Sequence, residues 1–325
     1  MEQATTFRRI PDTVPEAVGP QAYVIFHPGA GGADQGLLET LLSERLGGAG
    51  RKYVLHRLSP EDDPSTVARE AIAQRVPTIL AAGGDGTVSR VAAGLIASSA
   101  ELGVLPVGTG NGLARALGLP MDLASAIDLV AGAHAVRTID VLEAEGRTFL
   151  LNASMGLSSQ AFRPTSPEVK RRFGWAVYLW NGLEGLMGLQ PYRFRLSIDG
   201  RYERTTGTDL LLLNTIGFIP GLPSDSFPDV KIDDGKLEVG ILRARHALAY
   251  VLLAARLILG KPVSRRELRR FTVERDIRVD SRPSVPVQAD GDVVGWTPMT
   301  FRVLNNALKV IVPTDGLGWR GKEPA

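Results

Sequence analysis

Residues Thr78–Thr87 read Thr-Ile-Leu-Ala-Ala-Gly-Gly-Asp-Gly-Thr. The run from Thr78 to Ala82 has the composition of a buried strand, the glycines interrupt it, and the residues from Thr87 to Ala97 take up helical periodicity. A strand that passes through a glycine turn into a helix is part of a βαβ unit, and its turn lies where parallel sheets bind ligands. Glycines let the main chain approach an anion closely, and the helix behind them offers free N–H groups and the positive end of its dipole. Asp85 is the odd member of the loop. A carboxylate beside phosphates repels them unless it holds Mg²⁺ or activates a hydroxyl, so the combination points to phosphoryl transfer. Taken alone, Gly-Gly-Asp-Gly is also an ordinary tight turn.

Its neighbours argue against that bland reading. Upstream, an expected strand from Ala22 to His27 ends in Pro28-Gly29-Ala30-Gly31-Gly32; downstream, an extended run from Gly103 to Val107 ends in Gly108-Thr109-Gly110-Asn111-Gly112. Three glycine-rich turns thus follow three strands. None is a Walker loop, because no Gly-Lys-Ser/Thr follows, and the first fits the dinucleotide pattern poorly. Helical stretches from Gly36 to Leu46 and from Ser65 to Gln74, with a strand from Lys52 to Leu58 between them, complete a βαβα order. That order predicts a mostly parallel sheet with helices on both faces.

After about Arg137 the rhythm becomes β-rich. Strands are expected at Arg147 to Asn152, Tyr192 to Ile198, Asp209 to Asn214, Lys236 to Leu242, Phe271 to Val279, Thr300 to Leu304 and Leu308 to Val312, with helical insertions at Gly174 to Leu189 and Ala247 to Leu259. The predicted organisation is an N-terminal extension (1–20), an α/β domain (21–134), a domain of antiparallel sheet (135–313) and a tail (314–325).

Composition bounds the rest. A chain of 325 residues that is 44% hydrophobic is long enough for two domains. With 37 basic against 35 acidic residues the net charge is +2, so the overall electrostatic footprint of a nucleic-acid binder is missing. There is no cysteine, which removes disulfides, thiolate catalysis and Cys-ligated zinc and fits the cytosol. Met1 to Gly19 has no apolar core of the signal-peptide kind. The most lipid-like segment, His246 to Gly260, is too short to cross about 30 Å of hydrocarbon and contains Arg256. His134 and His246 have no second His at metal spacing and read as solvated or capping residues.

Gly83–Thr87 (GGDGT) and Pro106–Arg115 (PVGTGNGLAR) resemble the two signatures of the diacylglycerol kinase catalytic-domain family, which includes the bacterial lipid kinases, the sphingosine and ceramide kinases and, more distantly, the NAD kinases. The similarity runs over about residues 20–313. Lys170–Leu179 (KRRFGWAVYL), Pro228–Leu237 (PDVKIDDGKL), Asp290-Gly291-Asp292 and Ala307–Pro313 (ALKVIVP) follow in the family's order. The resemblance implies a NAD-kinase-like α/β domain followed by a β-sandwich domain, with ATP between them and a membrane lipid as acceptor.

It also implies roles. Gly83, Gly84, Asp85, Gly86 and Thr87 would meet the ATP phosphates, and Pro28, Gly29, Ala30, Gly31, His56, Gly108, Thr109 and Asn111 would line the nucleotide. Asp290 and Asp292 would face that site and, with Asp85, be catalytic; one of the pair would be the general base, the family pattern favouring Asp292, where the family normally carries Glu. Asp233 and Asp234 would hold a structural Mg²⁺, the alternative for that pair being an acidic turn before Gly235. The sequence departs from the family at His27, at Gly112 and over Asn152 to Gln160, which lacks an acidic residue often found there. A NAD kinase, or an inactive lipid-binding regulator of the same fold, is the alternative reading. A kinase of lipids must touch a bilayer. Eight basic against four acidic residues from Lys261 to Arg282 follow the apolar helix at 247–259, and Lys170 to Arg172 precede the aromatic stretch of Phe173, Trp175, Tyr178 and Trp180. Peripheral contact with the inner membrane surface is therefore expected, and a homodimer is left open.

Overall fold

The computed structural model describes residues 19–31, 34–161, 191–216, 227, 230–244, 246–259, 261 and 263–314. The predicted helix at 174–189 and the stretches at 1–18, 162–190 and 315–325 lie outside them.

The first half of the chain alternates as its sequence pattern predicts. Strands β1 (Ala22–Phe26), β2 (Tyr53–Arg57), β3 (Thr78–Gly83) and β4 (Glu101–Pro106) are joined through α1 (Gln35–Leu41, continued by a π-helical turn over Leu42–Gly47), α2 (Pro64–Ala73) and α3 (Asp85–Leu95). They pair in parallel in the order β2-β1-β3-β4. Every residue of β3 is buried, as expected of a strand covered by helices on both faces. Local sequence sets the helix starts: Asp34 caps α1, and Asp63 caps α2 with Pro64 at its first position. Helix α3 lays Val88, Val91, Ala92 and Leu95 on the sheet.

Two short helices, α4 (Gly112–Ala116) and α5 (Leu123–Ala131), lead to the long β5 (Ala135–Ala144). The rest is antiparallel apart from one contact with β4: β6 (Arg147–Phe149), β7 (Asn152–Gly156), α6 (Leu157–Ala161), β8 (Tyr192–Ile198), β9 (Arg201–Gly207), β10 (Asp209–Leu213), β11 (Leu237–Leu242), α7 (Ala247–Ile258), β12 (Leu268–Val273), β13 (Asp276–Arg282), β14 (Pro286–Ala289), β15 (Asp292–Trp296) and β16 (Met299–Val312). One sheet runs β12-β11-β10-β7-β14-β15. Against it lies an extension of the first sheet, β16-β13-β8-β9, with β5 on β16. Phe194, Leu196, Ile277, Val279 and Phe301 from one sheet meet Met155, Leu210, Leu212, Val239 and Val287 from the other in a single apolar core. This is the expected parallel α/β part followed by an antiparallel sandwich.

Three details depart from the sequence reading. The two runs at 300–304 and 308–312 form one strand, β16, whose pairing with β5 shifts register between Leu304 and Leu308. Its first half pairs antiparallel with β13 and its second half parallel with β4, so the end of the chain joins the two parts into one sheet. The run at 271–279 divides into β12 and β13. Asp199 makes the break, accepting the backbone N–H groups of Glu274, Arg275 and Asp276. Strands β5, β9, β14 and β15 escaped notice, as did β7 beyond Asn152, the run expected at 147–152 ending there; β5 and β9 are rich in charged and small polar residues, which hides their period.

Candidate active site

The three glycine turns meet at the C-terminal ends of β1, β3 and β4. Their glycines are there for room. A Cβ on Gly108 would stand 2.4 Å from Gly84 Cα, and one on Gly31, whose φ is +57°, would stand 2.1 Å from the Val107 carbonyl oxygen. No side chain fits at those distances, so the loops close on one another only because these positions are bare. Asn111 holds the third loop from within: its amide donates to the Gly108 carbonyl at 2.8 Å and its Oδ1 accepts from Gly108 N–H at 3.0 Å. With φ at +51° it caps α4 in the left-handed region that Asn tolerates. Thr109 at the loop tip is exposed.

No side chain caps the N-terminus of α3, whose N-cap is Gly84. Asp85, the first residue of the helix, accepts Gly112 N–H at 2.5 Å. Burial raises its carboxyl above the ordinary Asp value, against the pull of the backbone donors Gly112, Leu113 and Asn111. Asp85 therefore ties the second glycine loop to the third.

Asp290 and Asp292, two residues apart, have opposite environments. Asp290 and Gly291 both have positive φ (+46° and +97°) and close the β14–β15 hairpin, the two-residue turn that Asp-Gly favours. The turn sends Asp290 inward, where its carboxylate accepts Ser89 Oγ–H at 2.7 Å and the N–H groups of Leu150, Leu151 and Asn152 at 2.7, 2.9 and 3.2 Å. Burial raises this carboxyl too, outweighing those four donors. Asp292 begins β15 with its side chain exposed, and its Oδ2 lies 4.0 Å from where a Cβ on Gly86 would be. The second half of the chain thus delivers one free carboxylate to the GGDGT loop and uses its neighbour as a structural tie to α3.

Two cavities meet at this point. One, of about 250 Å³, is lined by His27, Ala30, Pro64, Gly84, Gly86, Thr87 and Arg90. The other, of about 310 Å³, includes Gly86, Arg90, Arg69, Arg147, Asp290 and Asp292. Gly86 and Arg90 border both. The first has the glycine turns and open helix end that suit phosphates; the second has three guanidiniums and the carboxylates of Asp63, Asp290 and Asp292, of which Asp63 pairs with Arg69. Arg90, Arg69 and Arg147 were not singled out from sequence. Arg90 could have been, since it sits one helical turn beyond Thr87.

Other expected residues lie elsewhere. His56 lines neither cavity; it stacks on Tyr23 and bonds Tyr23 Oη at 3.3 Å and Asp62 Oδ2 at 3.2 Å. Asp233 accepts the guanidinium of Arg137 through both Nε and Nη2. Asp234 accepts Lys236 N–H at 3.1 Å, and burial followed by the charge of Asp140 raises its carboxyl. The fully buried Asp140 accepts Gly235 N–H at 2.6 Å and Asn306 N–H at 2.8 Å, fastening this turn to β16. Among the described residues no group of three or more His, Cys, Asp or Glu could hold a metal ion. The stretch at 170–180 lies outside the described residues, and among them no helix is long and apolar enough to cross a membrane.

Comparison with known proteins agrees with this geometry. Residues 21–144 match the diacylglycerol kinase catalytic domain, and residues 152–312 match the YegS C-terminal NAD kinase beta sandwich-like domain. A Pseudomonas aeruginosa protein named "Probable lipid kinase YegS-like" is 31% identical over 270 residues, covering 82% of this chain and 86% of the relative. The diacylglycerol kinase of Bacillus subtilis is 28% identical over 270 residues, covering 82% and 88%. A crystal structure of a diacylglycerol kinase from Bacillus anthracis superposes with a TM-score of 0.69 at 21% identity, over 91% of this chain and 97% of that one, and supports the fold. With two glycine signatures at one strand edge, a hairpin carboxylate facing them and both halves matched in order, the chain belongs to the diacylglycerol kinase family, a family of lipid kinases.

Proposed function

We propose that this kinase transfers the γ-phosphoryl group of ATP to a hydroxyl of diacylglycerol or a related lipid, such as a sphingoid base or phosphatidylglycerol. The observation that carries the reading is the approach of Asp292 to Gly86, an exposed carboxylate across from an uncapped helix end. The glycine loops and the α3 N-terminus receive the phosphates. Thr87 and His27 flank them, and Arg90 stands where charge builds on the transferred group. In the adjoining cavity Asp292 takes the proton from the acceptor hydroxyl as its oxygen bonds to phosphorus and ADP leaves. Asp85 and Asp290 act as positioning residues, the first joining two loops and the second joining the hairpin to α3.

A divalent cation, taken as Mg²⁺, accompanies the nucleotide. A second, structural Mg²⁺ would draw on Asp234, an exposed carboxylate on the turn that the buried Asp140 fastens; Asp233 is already matched by Arg137. The lipid arrives by peripheral contact with a bilayer. Helix α7 supports this, since Leu248, Val251, Leu252 and Leu259 leave an exposed apolar stripe on it while Leu253 and Leu257 are buried. In this reading the phosphate loops belong to the expected domain at 21–134 and the base to the expected domain at 135–313.

The test is turnover of γ-labelled ATP with Mg²⁺ against a panel of lipids and NAD. A labelled lipid that vanishes in Asp292→Asn is the expected result. Labelling of NAD alone would overturn the lipid acceptor, and turnover unchanged in the variant would overturn the role of Asp292.

A further inference from the structure

At the far end of the ten-stranded sheet from the glycine loops, strands β13, β8 and β9 turn one face inward and the other to solvent. Phe194, Leu196 and Ile198 go into the core, and Arg193, Arg195, Arg204 and Thr206 point outward. Pairing brings the outward arginines together, because Arg195 lies opposite Arg204 and Arg193 lies opposite Arg282. Like charges directly opposite on one sheet face destabilise it. A fifth guanidinium, Arg243, closes the side, anchored by Nε to the Thr206 carbonyl at 3.1 Å and by Nη2 to Thr205 Oγ1 at 2.6 Å.

The result is a concave basin of about 560 Å³ lined by Arg193, Arg195, Arg204, Arg243 and Arg282 with Phe194 and two threonines, and by no carboxylate. Asp280, just outside it, pairs with Arg195. Arg193, Arg204 and Arg282 form no ion pair among the described residues. Folding has therefore gathered five positive charges into one hollow and compensated one of them. A surface selected for stability alone would interleave acids here.

The geometry points to a binding site for clustered phosphate groups, separate from the catalytic cleft. Guanidiniums present paired donors that match two phosphate oxygens, and several around one concavity suit a ligand with more than one phosphate or several phosphodiesters side by side. Soluble polyphosphate compounds and the headgroups of an anionic bilayer share this chemistry. This inference is independent of Asp292 and of the acceptor lipid.

The test compares the wild type with Arg193→Gln/Arg282→Gln, and with Arg204→Gln as a second, single variant, in two arms. In one, inorganic pyrophosphate is titrated calorimetrically; in the other, the protein is sedimented with vesicles of phosphatidylcholine containing one third phosphatidylglycerol. All three proteins should melt at the same temperature or the variants higher, since repulsion is removed, and should turn over detergent-dispersed lipid equally. Binding in at least one arm should weaken roughly tenfold in the double variant and less in the single one. Loss in the pyrophosphate arm identifies a soluble ligand, and loss in the vesicle arm alone identifies a headgroup. Wild type and double variant that behave alike in both arms would overturn the site, whatever the fate of the kinase reading.

Discussion

The two ends of the ten-stranded sheet carry their positive character in different ways. At the β1, β3 and β4 end, the surface is bare backbone: Gly31, Gly84 and Gly108 bring main chain against main chain, and positive character comes from an open helix end with Arg90 behind it. At the β8 and β9 end, the surface is side chain, with five guanidiniums on strands and on the residue following β11. Backbone donors are fixed and shape-selective, as transferring a phosphoryl group in line requires. Guanidiniums on long stems adapt, as holding an anion without reacting with it requires. The contrast fits chemistry at the first end and attachment at the second.

The largest effect expected at the loop end follows from removing its one free carboxylate. Asp292→Asn should lower kcat by about 10²- to 10⁴-fold at any salt concentration, with the melting temperature unchanged because the side chain is exposed. Wild-type turnover in this variant would erase the contrast. Next comes Asp290→Ala, which strands Ser89 Oγ–H and three backbone N–H groups in the interior. Urea unfolding should show a loss of about 3 kcal/mol, and a loss as small as that of an exposed site would show that water replaces the carboxylate. Gly108→Ala tests whether the loops need bare backbone. With Gly84 Cα 2.4 Å from the new methyl, stability should fall by about 1–3 kcal/mol and turnover with it, whereas Thr109→Ala at the exposed loop tip should leave stability alone.

The smallest effect concerns pH. Asp209 is fully buried, and desolvation raises its carboxyl above the ordinary 3.8, against the donated Ser158 N–H. The folded chain therefore holds this proton more tightly than the unfolded one, and the group's contribution to stability declines as pH rises from the ordinary carboxylate value through the raised folded value. Asn cannot ionise and still accepts from Ser158. The melting-temperature difference between Asp209→Asn and wild type should grow in the variant's favour across that interval and then level off. A difference independent of pH would show that Asp209 keeps its ordinary affinity for the proton.

Much of the loop end was legible in the chain. The GGDGT and PVGTGNGLAR stretches each contain strand end, turn and helix start in consecutive residues, so their local geometry needs no knowledge of the rest of the fold. The contacts of His56 have no mark in the sequence, because β2 presents it to Tyr23 and Asp62, which lie far from it or outside any motif. The Mg²⁺ pair divided for a similar reason: Asp233 and Asp234 are adjacent in sequence, but Arg137 on β5 reaches only the first. Arg69 and Arg147 entered the cleft from α2 and from the first residue of β6, positions with no mark in the sequence.

The sequence by itself determined the α/β order and the glycine loops, because each is settled by the φ and ψ preferences and the period of neighbouring residues; the Asp-Gly turn became visible only with the two strands it joins. Only the tertiary structure decided which aspartate of that turn is free, how β16 joins both halves into one sheet, and that arginines 193, 195, 204, 243 and 282 share a hollow. Those outcomes depend on strand register, and a shift of one residue would turn each such side chain to the opposite face.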